Sequence, residues 1–569
     1  MKYKRISQFF LLVGLTSFTF IGFSTWKKTS EAQSQTARKP PNIVVILADD
    51  MGFSDVGAFG GEISTPNIDA LAKDGMKLAN FRAGAACSPS RAMLLSGVDN
   101  HQNGLGTMGE DVSPRQKGKP GYEGYLNDRV TSIAELLKDS GYNTYMAGKW
   151  HLGHEPEHLP SGRGFKDSFI LVQGAAAHFT QMGYHPASPV ATYIDNGKSV
   201  DLPKNFFSAN FYTDKLIEFI NKGRGDNKPF FIYAAYTSPH DPLQAPQEYI
   251  RKYMGKYDIG WDKIREQRFE RLKQLGIIPN NLSLPPRDAS AKAWDSLTPQ
   301  EKKYNAKLMA IYAAMVDNLD GNIGRLIQHL KNIGEYENTI FVFMSDNGAA
   351  SHDFAAGHKE FEEWFKKEGI DNSYENIGNA NSFVAYGKGW ADVSATPFFG
   401  FKGRVYEGGI RVPIIFHYPK AIKQGTNRTA FATVMDIKPT LLDYAGVRHP
   451  STFNGHQILP MDGRSLRPLL EGRANRVYGE NDAVGFELFG DGNRALFMGD
   501  WKVIRVNKPY GDNQWRLFNV VEDPRELNDL SKQYPDKLSK MISLYEDYEK
   551  RKGVVYFDND PDAVRDLGL

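Results

Sequence analysis

Cysteine is almost absent from this chain: Cys87 is the only one in 569 residues. No intramolecular disulfide can form, and any thiol chemistry is confined to one position. Excess charge of one sign is also absent. The formal net charge is +2, and residues 1–32 carry Lys2, Lys4, Arg5, Lys27 and Lys28 against Glu31, so the chain without them sits at −2. No basic surface remains to suggest a nucleic-acid partner. Beyond the leader there is no run apolar enough to span a membrane. The leader itself has a basic start (Met1 to Arg5), an apolar stretch from Phe9 to Phe23 and small residues around Ser30-Glu31-Ala32. This pattern predicts a secretory signal over residues 1–32 and a periplasmic or secreted protein. The alternative is an uncleaved anchor, although the stretch is short for a span and interrupted by Thr and Ser. Lys4-Arg5 stands where a twin-arginine signal has two arginines, which points to the general secretory route. Internal repeats are lacking too. The remainder, with 41% hydrophobic residues, is long enough for one large domain and a smaller one.

Three apolar runs end in polar residues. Asn42 to Ala48 stops at Asp49-Asp50, Lys228 to Tyr236 closes at Ser238-Pro239-His240, and Asn338 to Met344 ends in Ser345-Asp346-Asn347-Gly348. Runs apolar at every position indicate strands covered on both faces, hence a mostly parallel sheet. Helices are predicted between them. Ser132-Ile-Ala-Glu135 is a capping box closed by Gly141, and Thr298-Pro299-Gln300-Glu301 starts a longer helix with apolar residues at helical spacing up to Gly334. The fold class is α/β, with a large mostly parallel central sheet flanked by helices. In such sheets ligands bind beyond the carboxyl ends of the strands. Asp49, Asp50, Asp346 and Asn347 then share one rim, and such hard oxygen ligands suit Ca²⁺ or Mg²⁺ better than Zn²⁺.

Cys87 opens Cys87-Ser88-Pro89-Ser90-Arg91. Pro89 fits a first helical turn, which predicts Cys87 at a helix N-terminus, where free N–H groups favour an anion. Arg91 falls one turn on, on the same face. A second segment, Gly141 to Gly153, reads as a strand running into a loop, with Lys149 and His151 on one side if the strand persists.

Together these segments resemble the two signatures of the type I sulfatases, members of the alkaline phosphatase superfamily. The first is C-x-P-S-R followed by a segment ending Thr-Gly; here it ends Ser96-Gly97, a minor departure. The second matches in full. Asp49-Asp50, Ser238-Pro239-His240, Ser345-Asp346-Asn347-Gly348, and Lys402 ahead of Tyr406-Glu407-Gly408-Gly409 match further. The resemblance runs from about Pro40 to the C-terminus, and the segment Asn376 to Pro397 is similar to the large bacterial arylsulfatases in particular.

The resemblance implies hydrolysis of sulfate esters, of aryl alcohols and also of alkyl or sugar alcohols, with Cys87 converted by a maturase to formylglycine and one Ca²⁺ bound by Asp49, Asp50, Asp346 and Asn347. A thiolate or serine attacking sulfur would leave a sulfated enzyme needing a second hard attack on sulfur. A geminal diol avoids this, because one hydroxyl attacks and the other expels sulfate as the aldehyde returns. The implied roles follow. Asp346 takes the proton of the attacking hydroxyl, Arg91 fixes the diol, and Lys149 and Lys402 neutralise the sulfuryl oxygens. His240 protonates the departing alcohol, and His151 accepts the second hydroxyl's proton. Two other readings stand beside this one: a phosphonate monoester or phosphodiester hydrolase of the same superfamily, and a non-catalytic sulfoglycan-binding protein.

The predicted domains are a sulfatase catalytic domain over 40–445 and a C-terminal subdomain over 446–569. In the latter, Ala495–Met498 and Trp501–Arg505 read as a hairpin, Trp515–Phe518 as a strand and Pro535–Arg551 as a helix. This gives a small antiparallel sheet, the alternative being a continuation of the main sheet. The stretches 251–305 and 351–397 read as insertions that wall the substrate cleft. Trp364, Phe365 and Trp390 are candidates for stacking on a ring, with core packing the commoner role.

Overall fold

Asn42–Ala48, buried at every position, lies between the parallel strands Phe230–Ala235 and Thr339–Ser345. The computed structural model describes residues 39–354, 359–488, 490, 492–508 and 510–557. The leader reading falls outside them. Asn143–Lys149 and Asp167–Leu171 extend the parallel block on one side. Ile414–His417 and Met76–Leu78 pair antiparallel on the other, with Thr426–Arg428 parallel to Met76–Leu78 at that edge, and Tyr193–Asp195 and Lys198–Val200 pair antiparallel at the far edge, completing a ten-stranded sheet. The predicted strand runs are therefore its centre, where both faces are covered.

Alternation along Asn42–Ala48 sorts side chains into two cores. Val44, Ile46 and Ala48 enter one, and Ile43, Val45 and Leu47 the other. Each such aliphatic side chain contributes about 1.5–3 kcal/mol by leaving water. The helix Pro299–Asn332 covers the first face with Leu308, Ile311, Met315, Leu319 and Ile323. The helix Ile133–Asp139 covers the second. Both begin in the predicted capping boxes, Thr298 with Glu301 and Ser132 with Glu135. Such caps are worth about 1 kcal/mol each.

The C-terminal segment forms its own antiparallel sheet, Ala483–Leu488, Asn493–Met498, Trp501–Arg505 and Arg516–Asn519, so it does not continue the main one. Met541 and Tyr545 of the helix Pro535–Lys552 pack against it. Its first strand was not expected from the sequence. Gly485 interrupts the apolar pattern there because the Tyr548 ring lies where a side chain would go, 2.5 Å from an added Cβ. Among the described residues no helix is long and apolar enough to cross a membrane.

Candidate active site

The carboxyl ends of the central strands bring the predicted residues together. Asp49 and Asp50 follow one strand and Asp346 and Asn347 its neighbour; Asp50 N–H donates to Asp346 Oδ1 at 3.2 Å across 296 residues of sequence. Asn347 Nδ2 donates to Asp50 Oδ1 at 2.6 Å. Cys87 is the first residue of the helix Cys87–Ser96, as its motif predicts, with Sγ 3.6 Å from Asp49 Oδ1 and 3.8 Å from Asp50 Oδ1. Arg91, one turn on, donates from Nε to Asp346 Oδ2 at 2.9 Å and lies 3.3 Å from Asp49 Oδ1.

Lys149 Nζ sits 2.9 Å from both oxygens of Asp49, and Lys402 Nζ 2.9 Å from Asp50 Oδ2. Gly148 makes the first of these placements possible. Its φ is +116°, and a Cβ there would lie 1.8 Å from the carbonyl oxygen of Ala235 on the adjoining strand. The strand does not persist to His151, as the two-residue spacing required; it ends at Lys149, and His151 adopts a left-handed φ of 57°. Main-chain bonds from Trp150 to Leu171 and from His151 to Val172 hold that turn, so His151 still reaches the site. Asp50 is left-handed as well, at φ 62°. Conformations of this kind cost about 1–3 kcal/mol each and persist only where surrounding structure imposes them.

Cys87, Lys149, His151, His240 and Lys402 line one cavity of about 290 Å³. Its outer wall comes from residues 108–110, 151–154 and 173–191, together with His352. The expected walls from 251–305 and 351–397 are therefore corrected. Among the described residues, only His352 of the second stretch lines the cavity, and none of the first does. The helix Trp261–Gln274 instead ties itself to Asp55 and Glu62 through Arg268. Trp390 is fully buried against Trp261 and Trp294, Trp364 packs on Phe383, and Phe365 joins the same cluster.

The charges oppose one another closely. Burial works against ionising Asp49, but Lys149 and Arg91 hold its carboxyl well below the usual range. Burial likewise opposes Asp50, and Lys402 and His240 overcome it. Burial and the nearby Asp49 push Asp346 up to about 6. Burial disfavours the charged form of His240, yet Asp50 at 3.3 Å raises it well above its ordinary value. His151 is lowered, because burial outweighs the attraction of Glu110, whose Oε1 is 2.8 Å from His151 Nε2. Burial pushes the Cys87 thiol up.

Asp49, Asp50, Cys87 and His240 each offer a ligand atom within 4.8 Å of one another, a group that could hold a metal ion. Asn347 Oδ1 is buried with no hydrogen-bond partner. An orphaned amide oxygen beside three buried carboxylates fits a hard cation. The sequence reading missed Glu110, on the single turn Gly109–Asp111, Tyr184, on the short strand Met182–His185, and Asp241 and His352, which stand on loops. Their one local signal was that Asp241 directly follows His240.

The chain matches the sulfatase family model over residues 41–447, and a second model, N-sulphoglucosamine sulphohydrolase, C-terminal, over 398–549. The buried Cys87, ringed by carboxylates, lysines and histidines at the end of an α/β sheet, stands in a chain whose matches mark a sulfuric ester hydrolase. The chain belongs to the sulfatase family, that of the type I sulfatases of the alkaline phosphatase superfamily. It is 45% identical to an uncharacterized sulfatase of Schizosaccharomyces pombe, over 92% of this chain and 96% of that one. It is 41% identical to an arylsulfatase of Klebsiella aerogenes, over 75% of this chain and 91% of that one. Among solved structures it is similar to Ps i-CgsB in complex with k-i-k-neocarrahexaose, at a TM-score of 0.64 and 26% identity, covering 93% of this chain and 96% of that one.

Proposed function

We propose that this sulfatase acts on aryl sulfates, and on alkyl or sugar sulfates, outside the cytoplasm, with formylglycine formed at Cys87 and Ca²⁺ held by Asp49, Asp50, Asp346 and Asn347. The observation that carries this reading is the position of Cys87. Its Sγ faces two carboxylates at a helix N-terminus, inside a cavity shared with two lysines and two histidines. Burial pushes the thiol up, which makes unmodified Cys87 a poor nucleophile. The similarity to an arylsulfatase supports aryl substrates, and the carbohydrate complex of Ps i-CgsB supports sugar ones.

Bound Ca²⁺ would polarise a sulfate oxygen and bring it beside the nucleophile. The chain's own groups do the rest. Arg91, paired with Asp346 and Asp49, holds these carboxylates and the group derived from Cys87 in register. Lys149 and Lys402 present positive charge to the sulfuryl oxygens, where it gains most as the transition state forms. His240 gives a proton to the leaving alcohol. His151, kept neutral by burial, receives one when sulfate is expelled.

The test is peptide mass spectrometry of residue 87 together with a panel of aryl, alkyl and sugar sulfates, a phosphate diester and a phosphonate monoester. Sulfate esters should be turned over with a far higher kcat/KM than the phosphorus esters, and Cys87→Ala should be inactive. Full activity with a wholly free Cys87 thiol would refute the formylglycine assignment. A preference for the phosphonate ester would favour the sister hydrolase, and binding of sulfated glycans without turnover the non-catalytic reading.

A further inference from the structure

A carboxylate accepts hydrogen bonds and donates none. Asp241, 4% exposed, is approached by three donors. The Tyr184 hydroxyl donates to Oδ1 at 2.6 Å, His240 Nδ1 is 3.2 Å from the same oxygen, and His352 Nδ1 is 2.9 Å from Oδ2. Burial opposes ionisation of Asp241, yet His352 and His240 hold its carboxyl well below the usual range, so it remains an acceptor. His352 must then carry hydrogen on Nδ1. In the neutral ring this leaves Nε2 with a lone pair.

The two histidines depend on Asp241 to different degrees. His240 Nδ1 has a second acceptor, the main-chain carbonyl of Asp241 at 2.6 Å, and keeps its orientation without the carboxylate. Among the described residues, His352 Nδ1 has only the carboxylate and the Tyr184 oxygen at 3.2 Å. The His352 ring lines the same cavity as Cys87 and His240, with its centroid 6.2 Å from that of His240. This is the side on which the alcohol departs if His240 is its proton donor.

We propose that His352 is a specificity-determining residue whose Nε2 accepts a hydrogen bond from the departing alcohol, so that the site favours sulfate esters bearing a hydroxyl on the atom next to the ester carbon. Asp241 is the positioning residue that fixes the His352 tautomer. The inference rests on the sulfatase reading and adds the chemistry of the leaving group to it. A site built around a polar substrate group discriminates against an analogue that lacks the donor, because the acceptor is then left unpaired.

The experiment compares kcat/KM for 2-hydroxyphenyl sulfate and 2-methoxyphenyl sulfate, with phenyl sulfate as reference, in the matured full-length protein and in His352→Phe and Asp241→Asn. Wild type should favour the hydroxyl compound, relative to His352→Phe, by about fivefold to tenfold, the range of one neutral hydrogen bond. Asp241→Asn should go further and turn the preference toward the methoxy compound. An amide nitrogen facing His352 donates to Nδ1, which moves the ring hydrogen to Nε2. A slowing through His240 would grow with phenol pKa; the three phenols are close in acidity, so it nearly cancels in the ratio, and the phenyl sulfate arm reports what remains. A ratio unchanged in both variants, with all three esters hydrolysed, overturns the inference and leaves the sulfatase reading intact. Failure of matured wild type to hydrolyse any of the three defeats that reading itself.

Discussion

His101 Nε2 meets Glu487 Oε2 at 3.1 Å although 386 residues separate them, and both side chains are fully buried. The other ring nitrogen lies 3.0 Å from Asp99 Oδ1. Burial disfavours the imidazolium, but hydrogen bonds to the two carboxylates raise His101 from 6.5 to about 9. A raised histidine stabilises the fold fully below its unfolded value and loses that contribution as pH rises through the folded one. Stability should therefore fall between about pH 6.5 and 9 by an amount on the order of 3 kcal/mol. Denaturant midpoints across this range, for wild type and His101→Gln, check it: the variant should be weaker at neutral pH and lack the fall, and parallel curves would discount the bridge.

Removal of calcium should lower both activity and melting temperature, with calcium restoring each. An ion that binds only the folded state adds about 2.7 kcal/mol at one hundred times its dissociation constant. Asp50→Ala should lose turnover and most of that calcium-dependent stabilisation. Metal analysis decides the identity, and stoichiometric zinc without calcium in active protein would show the ligand assignment to be wrong.

His240 and Lys149 should separate by leaving group. A nitrophenolate departs without a proton and an alkoxide does not, and general acid assistance is worth about 10² to 10⁴ in rate. His240→Ala should steepen the dependence of kcat/KM on phenol pKa across substituted phenyl sulfates. Lys149→Ala should lower all of them by a similar factor, because its proposed partner is the sulfuryl group they share. Parallel lines for His240→Ala and wild type would remove His240 as the acid.

Glu110 sets the charge beside His151. Its half-exposed carboxyl is held below the usual range by the His151 ring, and its field raises His151 against the stronger effect of burial. Glu110→Gln takes that field away, so His151 should lose its proton at lower pH. The acid limb of the kcat profile, measured on an activated aryl sulfate so that expulsion of sulfate limits turnover, should move to lower pH, and kcat should fall as the ring loses its 2.8 Å partner. An acid limb that stays in place would mean another group is the base.

Much of this site was legible in the sequence because its parts are short-range. The Cys87 helix needs only Pro89 and a few following residues, and Asp49 and Asp346 are betrayed by apolar runs that stop abruptly. Capping boxes at Ser132 and Thr298 work within four residues. What escaped depends on distance. Tyr184 and His352 reach Asp241 across 57 and 111 residues, from a four-residue strand, Met182–His185, and a loop, both too short for a periodicity to reveal them. The charge-rich stretch 251–305 shows that it is surface, but charge does not say which side of the sheet it covers. Gly485 hid a strand because its reason, the Tyr548 ring, lies on a helix much later in the chain.

The 2% exposure of Cys87 also has a meaning in time. The walls around it arrive from the ribosome in sequence, and Asp346, which Arg91 clasps, is made 255 residues after that arginine. At about 5–20 residues per second this takes roughly 10–50 s. Any enzyme that must reach the thiol works against that clock, before the strand Thr339–Ser345 docks and seals the rim. A faster-folding variant would thus emerge less completely matured.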